Sequence, residues 1–223
     1  MKITEIAGRK CHLIINGTDL PTVYWGEMTD CSEIIEKVLA LCKDLRCNFI
    51  VFEVSDWNSE FSPWEFRLNK KMSFSGSGRS TLDWLVNECV PHCEKEYDLS
   101  GKRIICGYSL SGLFSLWAFY ESQIFSGAIS CSGSLWFGDW INYAEGKTAP
   151  QNSFVYLSLG DCEEKARDQI MKTVGDCTRR QFELLCSDRN VSRKILEWNE
   201  GGHFNAPEIR IEKGVRWSLN NGC

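Results

Sequence analysis

The sequence lacks the features that mark membrane proteins and nucleic-acid-binding proteins. No apolar run approaches the roughly 20 residues that a membrane-spanning helix needs. Basic residues are not in excess, because 25 Lys and Arg stand against 30 Asp and Glu and the formal net charge is −5. A phosphate backbone requires a basic surface, so we expect neither a membrane nor a nucleic acid as a partner. The first residues lack the apolar segment and cleavage site of a signal peptide, which predicts a cytoplasmic protein.

Patterns that bind metals are also scarce. The chain has three histidines, and no two cysteines have the C-x-x-C spacing of a zinc site. Cys89, His92 and Cys93 form one cluster, but a second ligand pair at zinc-finger spacing is missing. The 12 cysteines are scattered through predicted strands and helices, so we expect reduced thiols that act as small hydrophobes. We expect no metal and no other cofactor.

Apolar strands alternate with helical segments along the chain, which has no internal repeat and no linker. The length suits one compact domain, 1–223. The patterns predict strands at 13–15, 22–25, 49–52, 103–106, 128–129, 154–157 and 194–197. They predict helices at 34–41, 82–89, 113–120, 164–187 and 209–219. Asp30, three residues before Glu33, predicts the cap of the first helix, and Pro91 predicts a kink.

Strands that alternate with helices predict an α/β fold with a mostly parallel central sheet and helices on both faces. In such sheets, sites gather at the carboxyl ends of the strands.

The segment 103–114 runs from a buried strand into an apolar helix with almost no loop. Gly107, Ser109 and Ser111 within it form a Gly-x-Ser-x-small pattern. A serine on such a turn is held in a strained conformation at the sheet edge, and small neighbours let strand and helix approach. Ser109 is therefore the predicted nucleophile, and the alternative is that it only caps the helix. Ser111 is a poorer candidate because it would lie inside the helix.

A serine hydroxyl needs a base, and the three histidines are the candidates. His12 lies on the first predicted strand, and His92 lies within a helix. His203 directly follows the last predicted strand, where two glycines form a flexible turn that lets the imidazole project over the strand ends. We therefore predict that His203 is the general base.

The acid of the triad is expected between the nucleophile and the histidine in the chain. Asp161, Glu163 and Glu164 follow the strand at 154–157. Each could orient the imidazole and stabilise its cation, while the others would be first-turn acids favoured by the helix dipole. The residues alone leave this choice open.

The oxyanion donors and the substrate pocket are predicted from the same strand ends. The backbone N–H of Leu110, which follows the nucleophile, is the first oxyanion donor. Gly26, at the end of an earlier strand, is the expected second donor, with the Asp56–Trp57 loop as a competitor. Trp57, Trp64, Trp136 and Trp140 fall in predicted loops or at strand ends, where they could line a pocket for an apolar or aromatic ester or else belong to the core. The predicted pocket residues are Trp57, Tyr108 and Trp136.

The chain resembles the esterase family that includes enterochelin esterases, S-formylglutathione hydrolase and feruloyl esterase domains, and above all its compact bacterial members. The likeness extends from about Val23 to the C-terminus, and it is carried by the segments 82–91, 107–113, 132–136, 159–163 and 201–204. This resemblance implies a single-domain α/β-hydrolase fold. The family's acid commonly stands three residues after a glycine at a strand end, which implies Glu163, with Asp161 as the alternative.

These inferences predict a serine esterase that hydrolyses a small carboxylic ester through an acyl-enzyme. An acyltransferase would use the same catalytic triad with another acceptor, and a catalytically silent binding protein could share the fold. The intact serine, histidine and acid candidates favour the enzyme. No pattern in the sequence indicates an oligomeric state.

Overall fold

The computed structural model describes residues 1–219 and contains one large sheet and one small ribbon. The strands are β1 (Lys2–Ile6), β2 (Arg9–Ile14), β3 (Thr22–Met28), β4 (Asn48–Val54), β5 (Glu65–Arg67), β6 (Ser73–Ser75), β7 (Arg103–Tyr108), β8 (Gly127–Cys131), β9 (Ser153–Gly160) and β10 (Val191–Asn199). The helices are α1 (Ser32–Leu41), α2 (Trp57–Glu60), α3 (Gly78–Trp84), α4 (Val90–Tyr97), α5 (Leu110–Ser122), α6 (Trp140–Glu145), α7 (Val174–Ser187) and α8 (Pro207–Leu219). None of the helices within 1–219 is long and apolar enough to cross a membrane.

The large sheet has the strand order β1-β2-β4-β3-β7-β8-β9-β10, and β5 pairs with β6 in the ribbon. In the large sheet, β2 pairs antiparallel with β1 and with β4, and every other neighbouring pair is parallel, whereas β5 and β6 of the ribbon are antiparallel. The predicted mostly parallel sheet is confirmed. Residues 220–223, the end of the predicted domain 1–223, lie outside the described residues.

Helices cover both faces of the sheet, as the alternation of elements predicts. Ile50 and Phe52 pack in the layer that contains α3, α4, α5 and α7, whereas Phe49 and Val51 pack in the layer of α1 and α8. Successive side chains of a strand point to opposite faces, so β4 is buried along its whole length. This burial explains its continuous apolar run.

The N-terminal hairpin of β1 and β2 is not predicted by the sequence patterns. Its turn, Ala7-Gly8, has positive φ at both residues (44° and 83°), as a tight two-residue hairpin requires. β1 lies at the sheet edge, and Ile6 is its one buried residue. An edge strand that is mostly exposed carries little apolar signal.

Two expectations about helix ends need correction. α1 begins at Ser32 without a side-chain cap, because Asp30 has a left-handed backbone (φ 66°) and cannot cap the helix. The helical stretch predicted at 82–89 is longer than expected, since a π-helical turn over Leu85–Cys89 joins α3 to α4, which continues past Pro91 to Tyr97. In a π-helical turn the backbone hydrogen bonds shift by one residue, which lets the helix continue past a proline that has no N–H to donate.

The helix expected at 164–187 begins only at Val174. The carboxylate of Asp168 accepts hydrogen bonds from the backbone N–H groups of Ile170 and Met171, which forms a local turn. Such turns compete with helix formation, so short 3₁₀ turns replace the first part of the predicted helix.

Candidate active site

The chain turns sharply at Ser109, the single residue between β7 and α5. Its backbone has φ 59° and ψ −122°, a region that residues other than glycine rarely adopt. Its N–H donates to the carbonyl of Cys131 at 3.0 Å, and its carbonyl accepts from Leu113 at 3.1 Å and Ser134 at 3.0 Å. These bonds hold the strained turn that the sequence pattern predicts, with the Ser109 side chain at the carboxyl edge of the sheet.

The close approach of β7 and α5 accounts for the small residues around this turn. A Cβ atom at Gly107 would lie 2.2 Å from the carbonyl oxygen of Ser111. Ser111 is fully buried, and its hydroxyl donates to the carbonyl of Gly26 at 2.7 Å. Its hydroxyl is therefore used inside the fold, whereas Ser109 lines a cavity.

His203 lies in the turn between β10 and α8, with its Nε2 2.9 Å from Ser109 Oγ. Gly201 has a φ of 93°, which lets the chain fold back over the strand ends. The hydroxyl of Tyr108 donates to the backbone carbonyl of His203 at 2.6 Å. The imidazole is thus fixed beside Ser109 through its own backbone.

Glu163 follows β9 and meets the other side of the imidazole, with Oε2 2.7 Å from His203 Nδ1. Its Oε1 accepts from the N–H of Gly160 at 2.8 Å, the hydroxyl of Ser132 at 2.8 Å and the guanidinium of Arg210 at 2.7 Å. Burial alone would raise the pKa of Glu163, but the hydrogen bond and charge of His203, then the bonds from Gly160 and Ser132, outweigh it. The pKa therefore lies below its ordinary value, and the carboxylate is ionised at neutral pH.

The other two acids that the sequence leaves open lie elsewhere. Asp161 is exposed and accepts a hydrogen bond from the N–H of Gly201 at 2.9 Å, which is the main cause that lowers its pKa. Glu164 forms an ion pair with Arg179 at 2.8 Å. Glu163 is thus the acid of the three that contacts His203.

Residues from the starts of two helices line the cavity beside Ser109. Leu110 is the first residue of α5, so its N–H has no partner within the helix, and it lines the cavity. Trp57 and Asn58 line the same cavity from the first turn of α2. They belong to the loop that the sequence analysis names as the competitor of Gly26.

Gly26 itself lies inside β3, which corrects its predicted position. It pairs in register with Phe52, and an added Cβ would lie 2.7 Å from the ring of Phe61. Its place in the paired strand and the bond from Ser111 to its carbonyl hold its backbone inside the fold. Gly26 therefore packs behind the site and does not line the cavity.

A cavity of about 430 Å³ opens onto Ser109 and His203. Its walls are mainly apolar, and the large side chains among them are Trp57, Met72, Phe74, Trp136, Met171 and Phe204. The predicted pocket residues Trp57 and Trp136 are part of it, whereas Trp64 and the buried Trp140 are not among its lining residues. Tyr108 is not, which is a correction, because it is buried behind His203 with its hydroxyl on the carbonyl of that residue.

Ser132 and Arg210 both contact Glu163, and neither was predicted as a site residue from the sequence. Arg210 shares the buried face of α8 with Gly214 and Ser218, at i, i+4 and i+8. Helical periodicity could therefore have placed this arginine inside the protein. Ser132 opens the segment 132–136, which is one of those that carry the family resemblance, but that likeness alone does not assign it a contact with the acid.

His12 lies in a separate buried cluster. Its Nε2 is 2.6 Å from Glu53 Oε1, which also forms an ion pair with Lys10 at 2.9 Å. His12, Cys31 and Glu53 thus bring one metal-ligand atom each to within 4.8 Å of one another. The ammonium of Lys10 already compensates the Glu53 carboxylate, so the cluster is an internal ion pair that ties β2 to β4.

The cysteines within 1–219 are free thiols, and most are buried. In the cluster noted in the sequence, Cys89 and Cys93 point into the core, whereas His92 is exposed. The three side chains therefore do not converge on one point. Hydrogen bonds with neighbouring thiols and burial raise the pKa of Cys89 well above its ordinary value, as expected for an inert thiol.

Comparisons with known proteins point to one family. Residues 11–206 match the family model described as "Putative esterase", and a search of curated proteins finds no match. The structure is similar to an IroE-like serine hydrolase from Shewanella oneidensis, with a TM-score of 0.77 and 14% identity over 95% of this chain and 75% of that chain.

Two further solved structures share the fold. The siderophore hydrolase EstA from Aspergillus nidulans has a TM-score of 0.72 and 14% identity, over 96% of this chain and 91% of that chain. Est1E from Butyrivibrio proteoclasticus, solved with ferulic acid bound, has a TM-score of 0.57 and 12% identity, over 98% and 99%. At these identities the likeness establishes the fold.

Gly107→Ala is expected to destabilise the protein, because its Cβ would clash with the backbone of Ser111. The free energy of unfolding, measured in urea, should fall by about 2–4 kcal/mol. Gly146→Ala is the matched control, since a Cβ there meets its nearest neighbour, the carbonyl of Tyr143, at 3.6 Å. Equal losses in the two variants would contradict the tight turn.

Proposed function

The chain belongs to the esterase family, a group of carboxylic ester hydrolases with the α/β-hydrolase fold, and we propose that Ser109, His203 and Glu163 are its catalytic triad. The observation that carries the proposal is a relay of two hydrogen bonds. It runs from Glu163 to His203 at 2.7 Å and from His203 to Ser109 at 2.9 Å. The nucleophile at the end of this relay sits on a strained turn, where its hydroxyl is accessible from a cavity.

Acylation begins when Ser109 Oγ attacks the ester carbonyl and His203 Nε2 takes its proton. Glu163 accepts the hydrogen bond from Nδ1, which selects the tautomer whose Nε2 is free to act as a base. The same carboxylate stabilises the imidazolium that forms. His203 then donates the proton to the leaving alcohol.

The negative oxygen of the tetrahedral intermediate needs donors that already point at it. We assign this role to the N–H of Leu110 and to the N–H groups of Trp57 and Asn58. Both sets lie at helix starts, where backbone donors have no intrahelical partner. The dipole of the longer helix α5 also favours negative charge beside Leu110.

Deacylation repeats these steps with water as the nucleophile. His203 takes a proton from the water, and Ser109 leaves with its oxygen protonated again. An acyltransferase would replace water by another acceptor at this step. Membership of an esterase family supports hydrolysis.

The cavity supports an ester whose acyl group is apolar or aromatic. Trp57, Phe74 and Trp136 provide flat apolar surfaces near Ser109. Such surfaces favour an aromatic or aliphatic group through burial and ring contacts. The ferulic acid bound to Est1E is itself an aromatic acid, which agrees with this substrate class.

Ser109→Ala should lower kcat/KM for an aryl ester by roughly 10⁴-fold or more, because the nucleophile is lost. A fluorophosphonate probe followed by peptide mass spectrometry should label Ser109 in the native protein and fail to label it in His203→Ala. Ser111→Ala is the control, and it should keep its label. Labelling of folded Ser109→Ala at another serine would refute the nucleophile assignment.

Glu163→Gln should lower kcat by roughly 10²- to 10⁴-fold, because an amide can select the wrong imidazole tautomer and cannot stabilise its cation. Asp161→Asn should cost less than about tenfold, since Asp161 contacts the backbone of Gly201 and not the imidazole. Steady-state kinetics compare the two variants at a pH of about 8, which lies above the ordinary histidine pKa of about 6.5. The reverse ranking would make Asp161 the acid.

Trp136→Ala should lower kcat/KM about tenfold for esters of aromatic acids and much less for acetate esters, because only the larger acyl groups reach this wall. Trp198→Ala is the matched control, since Trp198 lies outside the cavity and contacts Arg179. A panel of esters with one leaving group and different acyl groups measures the effect. Equal losses across the panel would argue against an acyl pocket at Trp136.

A further inference from the structure

Arg210 is a charged side chain that is buried inside the protein. It lies on the first turn of α8, and 2% of its surface is exposed. A buried charge is costly unless it is paired and fully hydrogen-bonded. The partners of this guanidinium therefore indicate what it does in the fold.

One side of the guanidinium holds the proposed acid. Arg210 Nη1 donates to Glu163 Oε1 at 2.7 Å and to Ser132 Oγ at 2.6 Å. Ser132 in turn donates to the same oxygen of Glu163 at 2.8 Å. Because these donors occupy Oε1, the second oxygen of Glu163 is left to accept from His203.

The other side holds the turn that carries the proposed base. Arg210 Nη2 donates to the carbonyl of Gly202 at 2.8 Å and to that of Glu200 at 3.4 Å. Nη1 also lies 3.3 Å from the hydroxyl of Tyr108, which donates to the carbonyl of His203. One guanidinium thus contacts both the acid and the backbone that directly precedes the histidine.

The groups that face this charge are few. Glu163 is the carboxylate in direct contact with it. Asp161 lies farther away, and its pKa is lowered mainly by the N–H of Gly201 and in part by the guanidinium. Burial raises the pKa of Tyr108 and of Cys131 to about 12 against the opposing effect of Arg210, so both are neutral. Arg210 and Glu163 therefore form a compensated buried pair.

We propose that Arg210 is a positioning residue that sets the relative placement of Glu163 and His203, an inference that rests on the proposed triad. A guanidinium presents its N–H donors in a rigid planar fork, so acid and base cannot move independently while both are bound to it. Lysine would supply the charge without the fork. Methionine would fill similar space but would supply neither the charge nor the planar donors.

The charge has a second, separable consequence. With Arg210 present, the acid carries a compensated negative charge when the imidazole takes a proton. Without it, the carboxylate is uncompensated, and protonation of the Glu163–His203 pair becomes easier. The pair then keeps its proton to higher pH, so the acid limb of the kcat/KM profile moves upward.

The test compares Arg210→Lys and Arg210→Met in the full chain. Arg216→Met is the matched control, because Arg216 lies on the same helix but pairs at the surface with Asp44 and Glu212. We expect Arg210→Met to lower kcat by about 10²-fold with little change in KM. The acid limb of the kcat/KM profile of Arg210→Met should move to higher pH by about half a unit or more. Arg210→Lys should lower kcat about tenfold and keep the native acid limb.

A signal that does not depend on hydrolysis completes the test. The Nδ1 proton of His203, held by Glu163, should give a far-downfield proton resonance in ¹⁵N-histidine-labelled protein. His203→Gln assigns the resonance, because His12 also bonds a carboxylate. The resonance should persist in Arg216→Met and be lost or strongly shifted in Arg210→Met.

The outcomes separate the possible roles of Arg210. Native kcat and an unchanged resonance in Arg210→Met would overturn the proposal. The proposal would also be overturned if the activity lost in Arg210→Met matched the fraction of unfolded protein and the pH profile stayed native. Loss of the resonance in Arg210→Met, without esterase activity in any variant, would support the positioning role and refute the proposed function instead.

Discussion

The strained backbone of Ser109 is the constraint on which the rest of the site depends. Strain of this kind persists only when the surroundings leave no room for relaxation. Here β7 and α5 are both buried, and the absence of a loop between them leaves no residue to absorb a change. The nearly uniform apolar character of α5 serves the same constraint, because the helix must pack on every side to hold the turn in place. The direction of the hydroxyl is thus fixed before a substrate arrives.

The parallel sheet places the remaining groups around that fixed point. Neighbouring strands end in register, with Tyr108 beside Cys131, Cys131 beside Ser158, and Gly160 beside Asn199. The residues that follow these ends therefore emerge at one edge, although they are far apart in sequence. This is why Ser132, Glu163 and His203 can meet Ser109 through short loops.

The sequence could predict the parts of this arrangement that have a local pattern. The alternation of elements predicts the covered parallel sheet, and the strand–turn–helix pattern points to Ser109. A histidine after the last strand points to His203 in the same way. The choice of Glu163 needed the family resemblance, because three acids share one loop and their side-chain directions depend on the turn. Gly26 was misplaced because no local pattern says where a strand ends.

Arg210 shows most clearly what local patterns miss, and its proposed role follows from the charge of Glu163. The cavity wall beside Ser109 is apolar, so it cannot compensate the charge of Glu163. The proposed apolar substrate, on displacing water from this cavity, would lower the local dielectric and make an uncompensated carboxylate costlier still. The counter-charge must therefore come from the side away from the cavity. There α8 packs against β8 and β9, and its periodicity turns one arginine inward. On this proposal, an apolar pocket in front of the proposed triad and a buried arginine behind it are two consequences of the same electrostatic requirement.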